Sequence, residues 1–170
     1  MDFLNSIKDQ IPDYAKDIRL NLDGVIARSS LSPEDAIGVA LAAAFAAKSK
    51  PLVDAFKAQL PELNANAALT AAALMGMNNA WYPYVEMAAD EELKTLRPEL
   101  RMNAYASSGG VEKKQFEAFA LSASIIGKCH FCVSSHHALL KKEGLTAQQL
   151  RDIGRIAAVV NAAAQVLAAQ

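Results

Sequence analysis

Both cysteines and all three histidines of the chain fall between Cys129 and His137, inside the stretch GKCHFCVSSHHALLKK that runs from Gly127 to Lys142. Thiols and imidazoles exchange protons and form new bonds near neutral pH, so gathering every one of them in nine residues points to chemistry rather than core filling. In a helix Cys129 and Cys132 are three residues apart and His136 is four further on, which puts all three on roughly one face. A CxxC pair at a helix start has its α-carbons roughly 5 Å apart, within the range a disulfide bridges. The reactive species is the thiolate, and two local features could supply it. Cys129 meets the unpaired amides and positive dipole end of the helix, whereas Cys132 has His136 one turn away as a proton acceptor. These arguments select different cysteines, and the spacing alone does not choose.

Cys129, Cys132 and His136 or His137 could also hold zinc, but a closed structural site needs a fourth ligand, and no second CxxC or HxxxH supplies it. His130 is a candidate relay group or a solvated neighbour of Cys129. His137 points about 100° away from His136 and reads as an exposed residue.

The elements that must position this cluster are helical. Alanine is abundant and alternating β-branched runs are scarce, so the pattern predicts an all-α chain with no strand. Ser32-Pro33-Glu34-Asp35 combines an N-cap serine, a first-turn proline and acidic residues ahead of a helix through about Lys48, with Ile37, Leu41 and Phe45 on its buried face. A short helix starts at Pro51, Pro61 ends or redirects it, and a longer one runs from about Ala65 to Asn78. Pro83, Pro98 and Gly109-Gly110 mark the segment from Trp81 as connecting structure. A helix from near Val111 should end at Gly127, where glycine supplies backbone freedom. The cysteine segment follows as its own helix, closed at Gly144. Thr146 and Gln149 form a capping box for a last helix towards Ala169, with Ile153, Ile156, Val160 and Val166 as core. The strand context that surrounds CxxC in thioredoxin-like proteins is missing.

At 170 residues the chain suits one domain, large enough to fold without a staple. Its 17 basic and 18 acidic residues leave a formal charge of -1, which gives no reason to expect nucleic acid or a membrane surface as partner. The opening MDFLNSIKDQIPDYAK lacks the basic start and apolar centre of a signal peptide, and the apolar runs are too short to span a bilayer. A cytoplasmic protein is expected, and in that compartment a close cysteine pair is more often redox-active, catalytic or metal-binding than structural.

A faint repeat runs through the chain. An offset of 80 residues lays Leu41–Phe56 on Leu121–His136 and matches Lys48 with Lys128, while Ser49, Leu52 and Phe56 fall on Cys129, Cys132 and His136. An offset of 82 lays Asn79 on Asn161.

Glu117, Cys129, Cys132 and His136 together read E-x11-C-x-x-C-x3-H, and MGMNNAWY (Met75–Tyr82) and LRPELRMN (Leu96–Asn103) precede or flank them. The sequence thereby resembles the alkyl hydroperoxide reductase D (AhpD) family of the carboxymuconolactone decarboxylase-like superfamily. The resemblance implies a single all-helical domain over 1–170 with a degenerate first repeat (about 31–82) and an active second one (about 111–170), assembled as a homotrimer. It implies a lipoyl-dependent peroxidase or disulfide reductase that takes electrons from dihydrolipoyl groups of a lipoylated dehydrogenase-complex subunit, reduces hydroperoxides and passes electrons to the peroxiredoxin AhpC, with no bound cofactor or metal. By position, Cys132 would form the sulfenic acid, Cys129 would protonate and close the disulfide, and Glu117 and His136 would relay protons. Some relatives carry histidine immediately before the second cysteine; here that residue is Phe131, and the histidine is His130. Glu117 lies about two and a half helical turns before Gly127, so a simple helical hairpin does not bring it beside Cys132. The rival functions are a non-enzymatic redox sensor, a decarboxylase-like enzyme of the superfamily that needs no thiol pair, and a zinc-binding module.

Overall fold

Ser32 accepts a hydrogen bond from the Asp35 amide at 3.0 Å, and Pro33 takes the first position of a helix that runs to Ala46. This cap starts the central helix of the computed structural model, which describes all 170 residues and contains only helices. In chain order they are α1 (Asn5–Lys8), α2 (Lys16–Ala27), α3 (Pro33–Ala46), α4 (Lys50–Lys57), α5 (Glu62–Ala88), α6 (Glu91–Thr95), α7 (Asn103–Ala106), α8 (Lys113–Gly127), α9 (His130–Lys142) and α10 (Ala147–Ala168), with three short 3-10 turns. None of them is long and apolar enough to cross a membrane.

Small residues let the central helices approach closely. Ala40, Ala42, Ala43 and Ala44 of α3 have no exposed surface, and a Cβ on Gly38 would lie 2.3 Å from the ring of Phe119 in α8. Thus α3 packs against both α5 and α8, while α10 closes over α2, α3 and α8. The larger core side chains that fill the gaps include Phe56, Phe116, Phe119, Met75, Ile153 and Ile156. The Thr146–Gln149 capping box forms in both directions and starts α10. Leu41, Ile153, Ile156 and Val160 are core, as the periodicity expects, but Phe45 is 40% exposed and Ile37 and Val166 are only partly covered. Phe45 instead lines an open cavity with Ala72, Gly76 and Asn79 of α5, so its ring is left at the rim.

Three features differ from the sequence expectation for physical reasons. The helix expected over Ala65–Asn78 extends to Ala88, straight through Pro83. Proline removes one backbone donor, and the last turns are held instead by Tyr82, which stacks on Phe131 of α9 with ring centroids 4.3 Å apart. The left-handed residue that ends α8 is Lys128 (φ 54°), so Gly127 is not there for backbone freedom. Its missing Cβ makes room for Asn79, whose amide nitrogen would sit 2.1 Å from it. Finally, α2 has no strong sequence signature; no side-chain cap starts it.

The α3–α4 and α8–α9 joints are built alike. Lys48 (φ 59°) and Lys128 (φ 54°) are both left-handed. The Ser49 amide donates to the Ala44 carbonyl at 3.0 Å, and the Cys129 amide donates to the Ser124 carbonyl at 3.4 Å. Ser49 and Cys129 then serve as the N-caps of α4 and α9.

Candidate active site

The turn from α8 into α9 sets the dithiol. Cys129 caps α9 with its own sulfur, which accepts the Cys132 amide at 3.2 Å, and the two cysteines form a disulfide with α-carbons 5.2 Å apart. Both are buried, Cys129 completely. The amide aimed at the Cys129 sulfur is the helix-start contact that the sequence argument for that cysteine expects. Cys132 lines a cavity of about 290 Å³ together with Tyr82, Met102, Tyr105, Phe131 and His136, whereas Cys129 borders a separate one of about 380 Å³ with Lys128, His130 and His137. The two sequence arguments therefore belong to two different sulfurs: one held by the helix end, the other on the cavity that it shares with His136.

His136 is one turn beyond Cys132 and almost wholly buried. Its Nδ1 lies 2.6 Å from Oε2 of Glu117, which is 1% exposed. The contact that Glu117 makes with α9 is therefore with His136, one turn beyond Cys132. The other carboxylate oxygen, Oε1, accepts the hydroxyl of Tyr105 in α7. Burial works against the charge on Glu117, but the hydrogen bonds from His136 and Tyr105, aided by the charge of Lys113, hold its carboxyl below the ordinary range. Burial and the adjoining carboxylate push the Tyr105 phenol upwards, so it stays a protonated donor.

An anionic Glu117 only accepts, which assigns Nδ1 of His136 as an N–H donor and makes Nε2 the basic nitrogen of the neutral ring. Nε2 faces the sulfur of buried Met75 at 3.2 Å. When protonated it can donate to that thioether, a weak acceptor, so an imidazolium here is met at both ends. With its nitrogens directed to Glu117 and Met75, His136 is not gathered with the cysteines as a metal ligand, and no group of three or more His, Cys, Asp or Glu forms a metal-sized cluster.

The structure thus brings Glu117 and His136 together and places Cys132 on the same cavity as His136. The two remaining histidines lie outside it. His130 is exposed and pairs through Nδ1 with Glu86 at 3.1 Å, and His137 is exposed beside Cys129 on another face of α9. Sequence reasoning missed Tyr105, Met75 and Tyr82. Met75 and Tyr82 bound the MGMNNAWY block, and Tyr105 stands two residues past the LRPELRMN block, so both blocks that carry the resemblance deliver side chains to the site.

The chain is similar to known proteins over nearly its whole length. The profile of the carboxymuconolactone decarboxylase family matches residues 91–170. The alkyl hydroperoxide reductase AhpD of Maricaulis maris (strain MCS10) is 41% identical over 98% of both chains. The protein of that name in Rhodospirillum centenum (strain ATCC 51521 / SW) is 39% identical over 98% of this chain and 91% of its own. That of Coxiella burnetii (strain RSA 493 / Nine Mile phase I) is 40% identical over 96% of each. With identities near 40% along nearly the whole length, and a CxxC disulfide beside a buried histidine and glutamate, the chain belongs to the alkyl hydroperoxide reductase AhpD family of the carboxymuconolactone decarboxylase-like superfamily.

Proposed function

We propose that this protein is a dithiol peroxidase that reduces alkyl hydroperoxides and is itself re-reduced by a dihydrolipoyl dithiol. One observation carries the reading: a Cys129–Cys132 disulfide whose second cysteine lines a cavity with His136, itself bound to a buried glutamate. In the reduced protein the Cys132 thiol gives up its proton, with His136 on the same cavity as the acceptor, and the thiolate attacks the terminal peroxide oxygen. The O–O bond breaks, Cys132 becomes a sulfenic acid, and the leaving alkoxide takes a proton from the imidazolium to depart as the alcohol. The Cys129 thiol then displaces water from the sulfenic acid and forms the disulfide, and an external dithiol restores both thiols by exchange. Glu117 holds His136 in the tautomer this sequence needs.

Electron transfer to an AhpC-type peroxiredoxin follows the same chemistry with the partner's disulfide as acceptor, and belongs to the proposal with the lipoylated donor. A homotrimer is proposed as well; exposed Tyr84, Met87, Leu96 and Leu100 give the 84–100 segment apolar surface suited to a subunit contact. A reducing, cytoplasmic setting fits a disulfide that must reopen each cycle. The matching α3–α4 and α8–α9 joints support descent from a duplicated helical unit in which only the second copy carries thiols.

The test is steady-state consumption of cumene hydroperoxide with dihydrolipoamide as donor. Turnover that disappears in Cys132→Ser is expected. A disulfide that forms once per chain without turnover would make the protein a sensor, and activity on a lactone or β-keto acid that survives loss of both cysteines would make it a decarboxylase-type enzyme.

A further inference from the structure

Phe131 immediately precedes Cys132, is 53% exposed and lies outside the hydrophobic core. One of its faces is covered: the ring of Tyr82 lies against it, 4.3 Å between centroids and 29° between planes. Stacking against a tyrosine fixes the orientation of Phe131 without hiding it. Both rings line the same cavity of about 290 Å³ as Cys132, with Met102 on the wall, and that lining contains no Asp, Glu, Lys or Arg.

We propose that Phe131 and Tyr82 form an apolar platform that seats the alkyl chain of a reactant whose reacting atom meets Cys132. The inference rests on the dithiol reading above and adds its specificity. Three features carry it. The platform is rigid, because α5 and α9 each contribute one ring and hold it by stacking. It is adjacent to the sulfur, because Phe131 precedes Cys132 in the chain and shares its cavity. Apart from the reacting pair Cys132 and His136, its wall offers contact area without a charged side chain, so it favours an uncharged chain over an ionised one, and the cavity lies at the small end of ligand sites. A reactant without a chain, such as hydrogen peroxide, gains nothing from it. The same chemistry is presented by two sources: the organic part of a hydroperoxide and the hydrocarbon arm of a dihydrolipoyl group.

N-alkylmaleimides of increasing chain length test the platform whether or not the protein is a peroxidase, because each adds to the reduced Cys132 thiolate through the same ring. In the full chain after reduction, the alkylation rate should rise with chain length, by up to about fourfold per methylene that reaches the rings. Phe131→Gln should flatten that rise, costing about tenfold at the longest chain and leaving N-methylmaleimide within about twofold. Phe131→Leu, which keeps an apolar surface, should retain part of it. Two further comparisons assign the source. If Phe131→Gln slows oxidation by cumene hydroperoxide but not by hydrogen peroxide, the chain belongs to the hydroperoxide. If it slows reduction by dihydrolipoamide but not by dithiothreitol, the chain belongs to the reductant. A rate independent of chain length in the unaltered protein would overturn the platform, as would an equal slowing of every reagent or no discrimination in either comparison. So would a uniform loss accompanied by a changed sedimentation coefficient, which would make Phe131 a subunit contact. Absence of peroxide turnover with chain-length dependence intact would overturn the peroxidase reading alone.

Discussion

His136 Nδ1 and Glu117 Oε2 meet at 2.6 Å in the interior, the imidazole 7% and the carboxylate side chain 1% exposed. A pair this far from water is not a surface salt bridge; its geometry places the ring proton of a neutral His136 on Nδ1 and leaves Nε2, 3.2 Å from the Met75 sulfur, as the basic nitrogen. Glu117→Gln retains the shape but loses the obligate acceptor. An amide can present its NH2 to Nδ1 and so place the ring proton on Nε2, the wrong nitrogen for a base. The expected result is a fall of about a hundredfold in the alkylation rate of Cys132 at pH 7 and in peroxide turnover, with the fold retained by circular dichroism. Unchanged rates would remove Glu117 from the relay.

Tyr105 supplies the second hydrogen bond to Glu117, and its loss should be visible in a pH profile. The folded carboxyl lies below the ordinary range partly because Tyr105 donates to it. In Tyr105→Phe that support is gone, so the carboxyl should rise and Glu117 should protonate at higher pH. The acid limb of the Cys132 alkylation profile should therefore shift upwards. The charges and titratable groups acting on Glu117 are His136 from α9, Tyr105 from α7 and Lys113 from α8 itself, joined by the thiols in the reduced protein. A change in melting temperature with an unmoved pH profile would give Tyr105 a packing role only; its ring stacks edge-on against Phe116 at 5.7 Å.

The two cysteines should behave differently when each is left alone. In Cys129→Ser, Cys132 still faces the cavity but has no partner with which to close, so one equivalent of hydroperoxide should leave a sulfenic acid that dimedone traps at Cys132. In Cys132→Ser, the remaining thiol is fully buried at the helix end, and labelling should fall by at least about tenfold. The reverse pattern would make Cys129 the attacking residue.

Much of this arrangement was legible because it is local. The N-cap at Ser32, the capping box at Thr146, the helix after Gly127 and the i, i+3, i+7 placement of Cys129, Cys132 and His136 all depend on neighbours within one or two turns. The contacts that were not legible join distant segments. Tyr105 and Met75 reach His136 and Glu117 from α7 and α5, and no spacing rule relates residues on separately packed helices. Pro83 illustrates the same point from the other side. Its local signal is to break a helix, and a long-range stack between Tyr82 and Phe131 keeps that helix intact. Gly127 was identified at the correct place with the wrong cause, because the side chain that needs its space, Asn79, comes from α5.

Acid stability should depend on a second buried carboxylate, far from the thiols in function. Asp152 of α10 is 1% exposed and accepts the Ser30 amide at 2.8 Å and the Ser30 hydroxyl at 2.7 Å, tying the loop before α3 to the last helix. Arg151 and Arg155 approach its other oxygen at 3.2 and 3.1 Å. Burial opposes its charge, but these hydrogen bonds prevail and lower the carboxyl to about 2 from an ordinary 3.8. A folded value below the unfolded one means that the native state holds the proton less tightly. The stabilisation is therefore complete above about pH 4 and is lost as pH falls through about 2. The shift corresponds to about 2 kcal/mol. Asp152→Asn should lower stability against urea by about that amount at pH 7. The gap between the two proteins should narrow below pH 4 and nearly close at pH 2, where the native aspartate is itself losing its charge. Denaturation midpoints at pH 7, 4 and 2 measure it, and a gap that stays constant across that range would assign the cost to packing of the amide rather than to the charge.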